Sequence, residues 1–99
     1  MKTMALELDD LRSQIDALND EFVALVSRRA RVVEEIAEVK RRAGLGMHDP
    51  ERERTMRARL VEKNPGPLAD DALGHLLEEL FRSCRGHMER VVRRHRAAG

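Results

Sequence analysis

Three cations lie on one face of the first long stretch of this sequence and could bind a small anion. Arg12, Arg29 and Lys40 follow a three- and four-residue spacing with mainly apolar residues between them. Arg29 and Lys40 are separated by close to three helical turns, or about 16 Å along a helix axis. Two long side chains that lean towards each other could hold a dianion there. Arg12 is about 25 Å from Arg29 on the same helix, so only an antiparallel partner's Arg12 could approach that site.

Arg29 also interrupts an apolar seam, and a charge in a seam needs a partner. The other seam positions are Leu8, Leu11, Ile15, Leu18, Phe22, Leu25, Val32, Ile36 and Val39. A buried charge without a partner is strongly destabilising. No acidic residue occupies the seam, so either a carboxylate from elsewhere, such as Glu53, or a ligand anion must meet Arg29. A polar seam residue is often only a register device, and spacing alone gives that interpretation and an anion site equal weight.

A second group of charged residues begins the next predicted helix. Asp49 is the expected N-cap and Pro50 the first helical residue. Arg52 and Glu53 follow in the first turn, and Glu53 shares the predicted inward face. Helix N-termini attract anions, so this group slightly favours an anion site. Helix capping explains Asp49 and Arg52 equally well.

The remaining polar residues give weaker signals of chemistry. Cys84 and His87 are three residues apart, but two ligands do not make a metal site. The sequence contains no glycine-rich phosphate loop and no nucleophile elbow. With 19 basic and 18 acidic residues, it lacks the basic excess of nucleic-acid-binding domains. The basic tail has no aromatic residues that could stack on bases. We therefore expect neither a metal site nor a nucleic-acid partner.

Three helices must position these residues. The periodicity and the helix-breaking residues predict helices over about 7–42, 50–63 and from Asp70 to the early nineties. Hydrophobic residues form 41% of the chain and aromatic residues 2%, so the core must consist mainly of aliphatic side chains. The sequence thus predicts an all-α protein with a single domain over 1–99, a core over about 7–90 and a basic tail over 91–99 that frays.

The length of the first predicted helix indicates an oligomer. The helix would extend about 50 Å, whereas a compact domain of this size has a radius of gyration of about 13 Å. Its ends would expose the apolar seam unless another chain covered them. We therefore expect an obligate homodimer or a larger oligomer.

The cysteine content and the absence of targeting signals indicate the cellular setting. Cys84 is the only cysteine, so an intrachain disulfide is excluded and a reducing compartment is the simplest environment. The sequence has neither the apolar region of a signal peptide nor an apolar run long enough to span a membrane. These features predict a cytoplasmic protein without a membrane partner.

The order and spacing of these motifs resemble the all-helical, AroQ-type chorismate mutases. The matching features are LRSQIDALN over 11–19, Arg28 and Arg29, Lys40, DPERER over 49–54 and NPGPLADDAL over 64–73. The resemblance covers about residues 7–90. It implies an intertwined helical homodimer with two active sites, which converts chorismate into prephenate for phenylalanine and tyrosine biosynthesis without a metal or cofactor.

The resemblance also implies roles for the charged residues. By similarity, Arg29 and the partner's Arg12 would bind the two carboxylates of the substrate. Lys40 would donate a hydrogen bond to the ether oxygen, and Glu53 would contact the region of the substrate hydroxyl. Cations in a pocket of low dielectric suit this rearrangement, in which negative charge grows as the ether bond breaks.

Four further positions would line the family's pocket, and one of them departs from the pattern. Asp49 and Arg52 match lining positions, and Cys84 matches a small, usually serine-like position. Met88 falls where the family has a glutamine or glutamate that donates to the ether oxygen. A thioether cannot donate, and the adjacent Glu89 points about 100° away on a regular helix. Losing such a donor costs about a hundredfold or more in rate.

Two alternatives stay open, the first of them because of Met88. The first is an isochorismate pyruvate-lyase or a related enzyme on the same scaffold, which would differ only in the details of its pocket. The second is a non-catalytic helical dimer that binds an enzyme of the aromatic pathway.

Overall fold

A computed structural model describes residues 3–98 as three α-helices joined by two loops. Helix α1 is Met4–Ala43, α2 is Pro50–Glu62 and α3 is Asp70–Ala98. The described residues include no strand, so the predicted all-α class is confirmed. Met1, Lys2 and Gly99, which belong to the predicted domain, lie outside the described residues.

Local sequence signals set the ends of the helices. Gly44 has a φ of 71°, a left-handed conformation that glycine adopts without strain, and it ends α1. Asp49 caps α2, and Pro50 occupies its first position, as predicted. In the loop before α3, the Asn64 side chain donates to the Leu68 carbonyl oxygen at 2.7 Å and to Asp70 Oδ1 at 2.8 Å. These bonds connect the end of α2 to the start of α3.

The basic tail corrects one prediction. We expected residues beyond 90 to fray, but α3 continues to Ala98. Val92 is buried and Val91 packs beside it, so this turn of the helix is held by apolar contacts. His95 and Arg96 occupy the last turn, where positive charge stabilises the helix dipole.

Two compact units divide the chain, the first ending at Val32 and the second beginning at Val33. The second unit contains a hydrophobic cluster formed by the last part of α1 and by α3. Its buried members are Val33, Ala37, Met88 and Val92, with Met47, Cys84 and Val91 packed against them. Ala37 is completely buried. In the same unit, α2 packs against α3.

The inward stripes of α2 and α3 are narrower than predicted. The apolar periodicity of the sequence places Leu60 in the inward stripe of α2 and Leu76 in that of α3, but both are exposed. Leu73, Leu77 and Leu80 of the α3 stripe are half-buried. A stripe with apolar residues at both three- and four-residue steps covers a wide arc of a helix. The arc on α3 is wider than the surface that the short α2 covers.

The first unit exposes its apolar seam. Six seam residues are at least 46% exposed in the single chain: Leu8, Leu11, Ile15, Leu18, Phe22 and Leu25. A contiguous apolar surface of this kind is typical of an interface with another protein. The dimer stays a prediction. No helix within residues 3–98 combines the length and the apolar character needed to cross a membrane.

We expect Ala37→Leu to destabilise the second unit, because the larger side chain has no room in the cluster. The expected loss is about 1–3 kcal/mol in the free energy of unfolding. Urea denaturation monitored by circular dichroism measures it. The matched control Ala58→Leu, at an exposed position of α2, should change stability by less than about 0.5 kcal/mol. Equal effects of the two variants would show that Ala37 is not tightly packed.

Candidate active site

Most of the predicted site residues belong to the second unit. They are Lys40 near the end of α1, Asp49, Arg52 and Glu53 at the start of α2, and Cys84 and Met88 on α3. Arg12 and Arg29 belong to the first unit, on the earlier turns of α1. Arg12 is exposed, whereas Arg29 is half-buried and already has an interaction partner.

Lys40 carries a positive charge that no carboxylate neutralises within residues 3–98. Its Nζ donates to the Met47 carbonyl oxygen at 3.5 Å, a long hydrogen bond. The nearby Glu38 is engaged elsewhere, with Arg41 at 2.7 Å and Arg42 at 3.6 Å. The hydrogen bond from Arg41 lowers the pKa of Glu38, so this carboxylate stays ionised and bound to its own partners. The half-buried ammonium of Lys40 therefore remains available to an anion.

Asp49 and Arg52 show a structural role at the start of α2. Asp49 Oδ1 accepts a hydrogen bond from the Arg52 backbone N–H at 3.1 Å, which satisfies one of the free donors of the first turn. Both side chains are exposed, and no ion pair forms at the Arg52 guanidinium in the part of the chain that the structure describes. Arg52 thus adds a second available cation to this unit.

Glu53 is bonded to Arg85, a residue that the sequence pattern does not indicate as part of the site. Arg85 Nη1, on α3, donates to Glu53 Oε1 at 2.5 Å. The two side chains are only 25% and 21% exposed, respectively. Arg85 lies 32 residues away in sequence, so no local spacing connects the pair. The signal in the sequence is that an inward-facing carboxylate needs a counter-charge, for which the prediction names Arg29.

Cys84 and Met88 contribute to packing on α3. Met88 is 7% exposed and is a member of the hydrophobic cluster, and the half-buried Cys84 packs against that cluster. Glu89 is exposed. The structure therefore agrees with the expected divergence of Met88 and Glu89 around the helix. The contribution of Cys84 and Met88 to substrate binding stays a prediction.

His87 contacts a carboxylate of α1. Its Nε2 lies 2.8 Å from Glu34 Oε1, which connects α3 to the last part of α1 within the second unit. Among the described residues, no group of three histidine, cysteine, aspartate or glutamate side chains is arranged to hold a metal ion.

The fold and these side chains define an all-helical protein with available cations and a bonded, half-buried carboxylate. Such a set suits the electrostatic binding of a small anion.

Comparisons with known proteins give the family. The family described as chorismate mutase type II matches residues 11–89. The Form II structure of chorismate mutase from Thermus thermophilus is 37% identical, with a TM-score of 0.83, and the match covers 85% of this chain and 96% of that one. The crystal structure of chorismate mutase from Helicobacter pylori in complex with prephenate is 28% identical, with a TM-score of 0.81, covering 87% and 93%.

Longer relatives match over part of their length. The bifunctional chorismate mutase/prephenate dehydratase of Aquifex aeolicus is 34% identical over 82 residues, which are 79% of this chain but only 23% of that protein. The chain belongs to the type II chorismate mutase family.

Asp49→Ala should destabilise the protein by about 0.5–2 kcal/mol, because the first turn of α2 loses its cap. Chemical denaturation measures the change. Asp49→Asn is the matched control: its amide oxygen can still accept from the Arg52 N–H, so it should retain most of the stability. An equal loss in both variants would show that the negative charge, and not the capping bond, is what matters.

Proposed function

We propose that this chain is a chorismate mutase, which rearranges chorismate to prephenate. The observation that carries the proposal is the family match over residues 11–89, which includes every candidate residue from Arg12 to Met88. A structural neighbour of the same family was crystallised with prephenate, the expected product. The proposal includes a place in the biosynthesis of phenylalanine and tyrosine, and a location in the cytoplasm.

The reaction needs few chemical groups from the protein. In this unimolecular rearrangement one carbon–oxygen ether bond breaks and one carbon–carbon bond forms, and no proton or electron enters or leaves. The protein must hold the flexible substrate in a compact conformation. It must also place donors and positive charge where negative charge develops on the ether oxygen. Neither a nucleophile nor a cofactor takes part in such a step.

Four charged residues would perform these tasks. Arg29 and the partner's Arg12 would bind the two carboxylates and so fix the substrate conformation. Lys40 would donate to the ether oxygen, a role supported by its half-buried ammonium and by the absence of a carboxylate partner within residues 3–98. Glu53 would accept a hydrogen bond from the substrate hydroxyl. Positive charge fixed before the reaction requires little reorganisation in the transition state.

The other candidates would shape the pocket. Asp49 and Arg52 would line it at the start of α2, and Cys84 and Met88 would line it along α3. Because Met88 cannot donate a hydrogen bond, Lys40 would act on the ether oxygen without a second donor from this position. We expect slower turnover than a glutamine or glutamate would give there.

The proposed site requires two chains. The exposed seam of the first unit supports a homodimer, because its apolar side chains need a cover and a second copy carries the complementary seam. Several curated relatives are fused to prephenate dehydratase, an enzyme whose name implies that it consumes prephenate. An aromatic-pathway enzyme is therefore a further partner in this proposal.

Incubating the purified chain with chorismate tests the proposed activity. We expect loss of chorismate and formation of prephenate, both quantified by chromatography, at a rate well above the uncatalysed background. Isochorismate is supplied in a parallel reaction. Cleavage of isochorismate without prephenate formation would establish the lyase alternative, which Met88 favours. Binding of chorismate without any turnover would indicate a non-catalytic partner protein.

Mixed dimers test whether each site draws on two chains. Arg12→Ala and Arg29→Ala should each abolish most turnover while the protein stays folded, because each removes a carboxylate contact. In a dimer formed from one chain of each kind, one site carries both substitutions and the other carries neither. Unfolding and refolding an equal mixture should therefore restore about a quarter of the unsubstituted activity.

The exposed Arg31→Ala variant, which removes another α1 arginine outside the proposed site, provides the control and should stay active. If the mixture of Arg12→Ala and Arg29→Ala stays inactive after exchange has been verified, the two arginines do not come from different chains. Sedimentation velocity on the unsubstituted protein checks that a dimer is present in the first place.

A further inference from the structure

The bond between Arg85 and Glu53 engages only part of the carboxylate. Arg85 Nη1 donates to Oε1 at 2.5 Å, and this bond does not involve Oε2. Glu53 is also fixed at its backbone, because its N–H donates to the Asp49 carbonyl oxygen at 3.1 Å in the first turn of α2. One carboxylate oxygen is therefore anchored from α3, and the other is not held by Arg85.

The surroundings of this pair distinguish it from an ordinary surface ion pair. A second ion pair between α2 and α3 joins Arg57 to Glu78 at 3.1 Å, with the two side chains 47% and 49% exposed. Glu53 and Arg85 are about half as exposed as that pair. Exposed pairs contribute little because water screens them, whereas less solvated pairs interact more strongly. Losing Arg85 would therefore release Glu53 to adopt other rotamers or leave it without a counter-charge.

We propose that Arg85 is a positioning residue, which holds the Glu53 carboxylate in the single orientation that presents Oε2 to the substrate hydroxyl. This inference rests on the proposed function, because it assigns Arg85 a task only through Glu53. Arg85 is adjacent to Cys84 and one helical turn before Met88, so it lies on the stretch of α3 that the proposed site uses. One such contact is enough to affect the reaction rate, because a small misplacement of a group that contacts the substrate slows the reaction strongly.

Arg85→Met tests the inference, because methionine keeps much of the side-chain length and removes the charge and the donors. We expect kcat for chorismate to fall about ten- to a hundredfold with little change in KM. Arg85→Lys retains one positive donor without the planar fork, so it should recover part of the loss. Arg57→Met is the matched control, since it removes the other ion pair between α2 and α3, and its kcat should stay unchanged.

A double-mutant cycle with Glu53→Gln shows whether Arg85 acts through Glu53. Adding Arg85→Met to Glu53→Gln should cause almost no further loss of kcat, because the carboxylate that Arg85 positions is already gone. Calorimetry of prephenate binding to Arg85→Met should show little change in affinity, as expected for a residue that affects kcat and not KM. Circular dichroism verifies that each variant is folded. If Arg85→Met does not fold, Arg85→Lys takes its place in the cycle.

Several results would overturn the inference. Unchanged kcat in Arg85→Met would show that Glu53 needs no positioning. Losses that simply add to those of Glu53→Gln would show that Arg85 acts independently of the carboxylate. A similar fall in Arg57→Met would assign the effect to the packing of α2 on α3. Absence of turnover in the unsubstituted chain would instead reject the proposed function, and this inference with it.

Discussion

The apolar seam of α1 is the constraint on which the remaining features depend. Six of its residues in the first unit are at least 46% exposed in the single chain. Burying such side chains is favourable by roughly 25 cal/mol per Å² of apolar surface, so a cover for the seam would be a major source of stability. The proposed homodimer would provide that cover, because a second copy of the chain has the same seam. The proposed site follows from this arrangement, because an interface between long helices brings side chains of two chains together.

Three carboxylates of the second unit are engaged, whereas Lys40 stays available. Glu38 is bound to Arg41, Glu53 to Arg85 and Glu34 to His87. Lys40 keeps only a long hydrogen bond to a backbone oxygen. An anionic substrate would therefore meet positive charge that the chain has not neutralised. Since neutralised cations would have to break their own bonds first, this distribution favours binding and suits electrostatic catalysis.

Met88 shows that packing and chemistry compete at one position. The side chain completes the cluster around Ala37, where an apolar and flexible side chain fills the space well. A glutamine or glutamate at this position could donate or accept hydrogen bonds, but it would place a polar group among apolar residues. The chain thus has a well-packed α3 and lacks a donor there. Arg85, one turn earlier on the same helix, brings a guanidinium to Glu53 instead.

The sequence by itself determined the helices, the family and most of the candidate residues, because these depend on local signals. Asp49 and Pro50 define the start of α2, Gly44 ends α1, and the order of the motifs indicates the family without any tertiary contact. The prediction that the tail frays was wrong, because α3 continues through it. Its helix is stabilised by Val91 and Val92, which pack in the cluster, and not by its basic residues.

The tertiary structure alone decided which charges are paired. Glu53 and Arg85 lie 32 residues apart, and nothing in their spacing relates α2 to that turn of α3. Likewise, the exposure of Leu76 and the burial of Met88 depend on how much of α3 the neighbouring helices cover. Periodicity tells which side of a helix is apolar, because that is a property of one segment. The partner that each side chain meets depends on the packing of separate segments, which only the folded chain specifies.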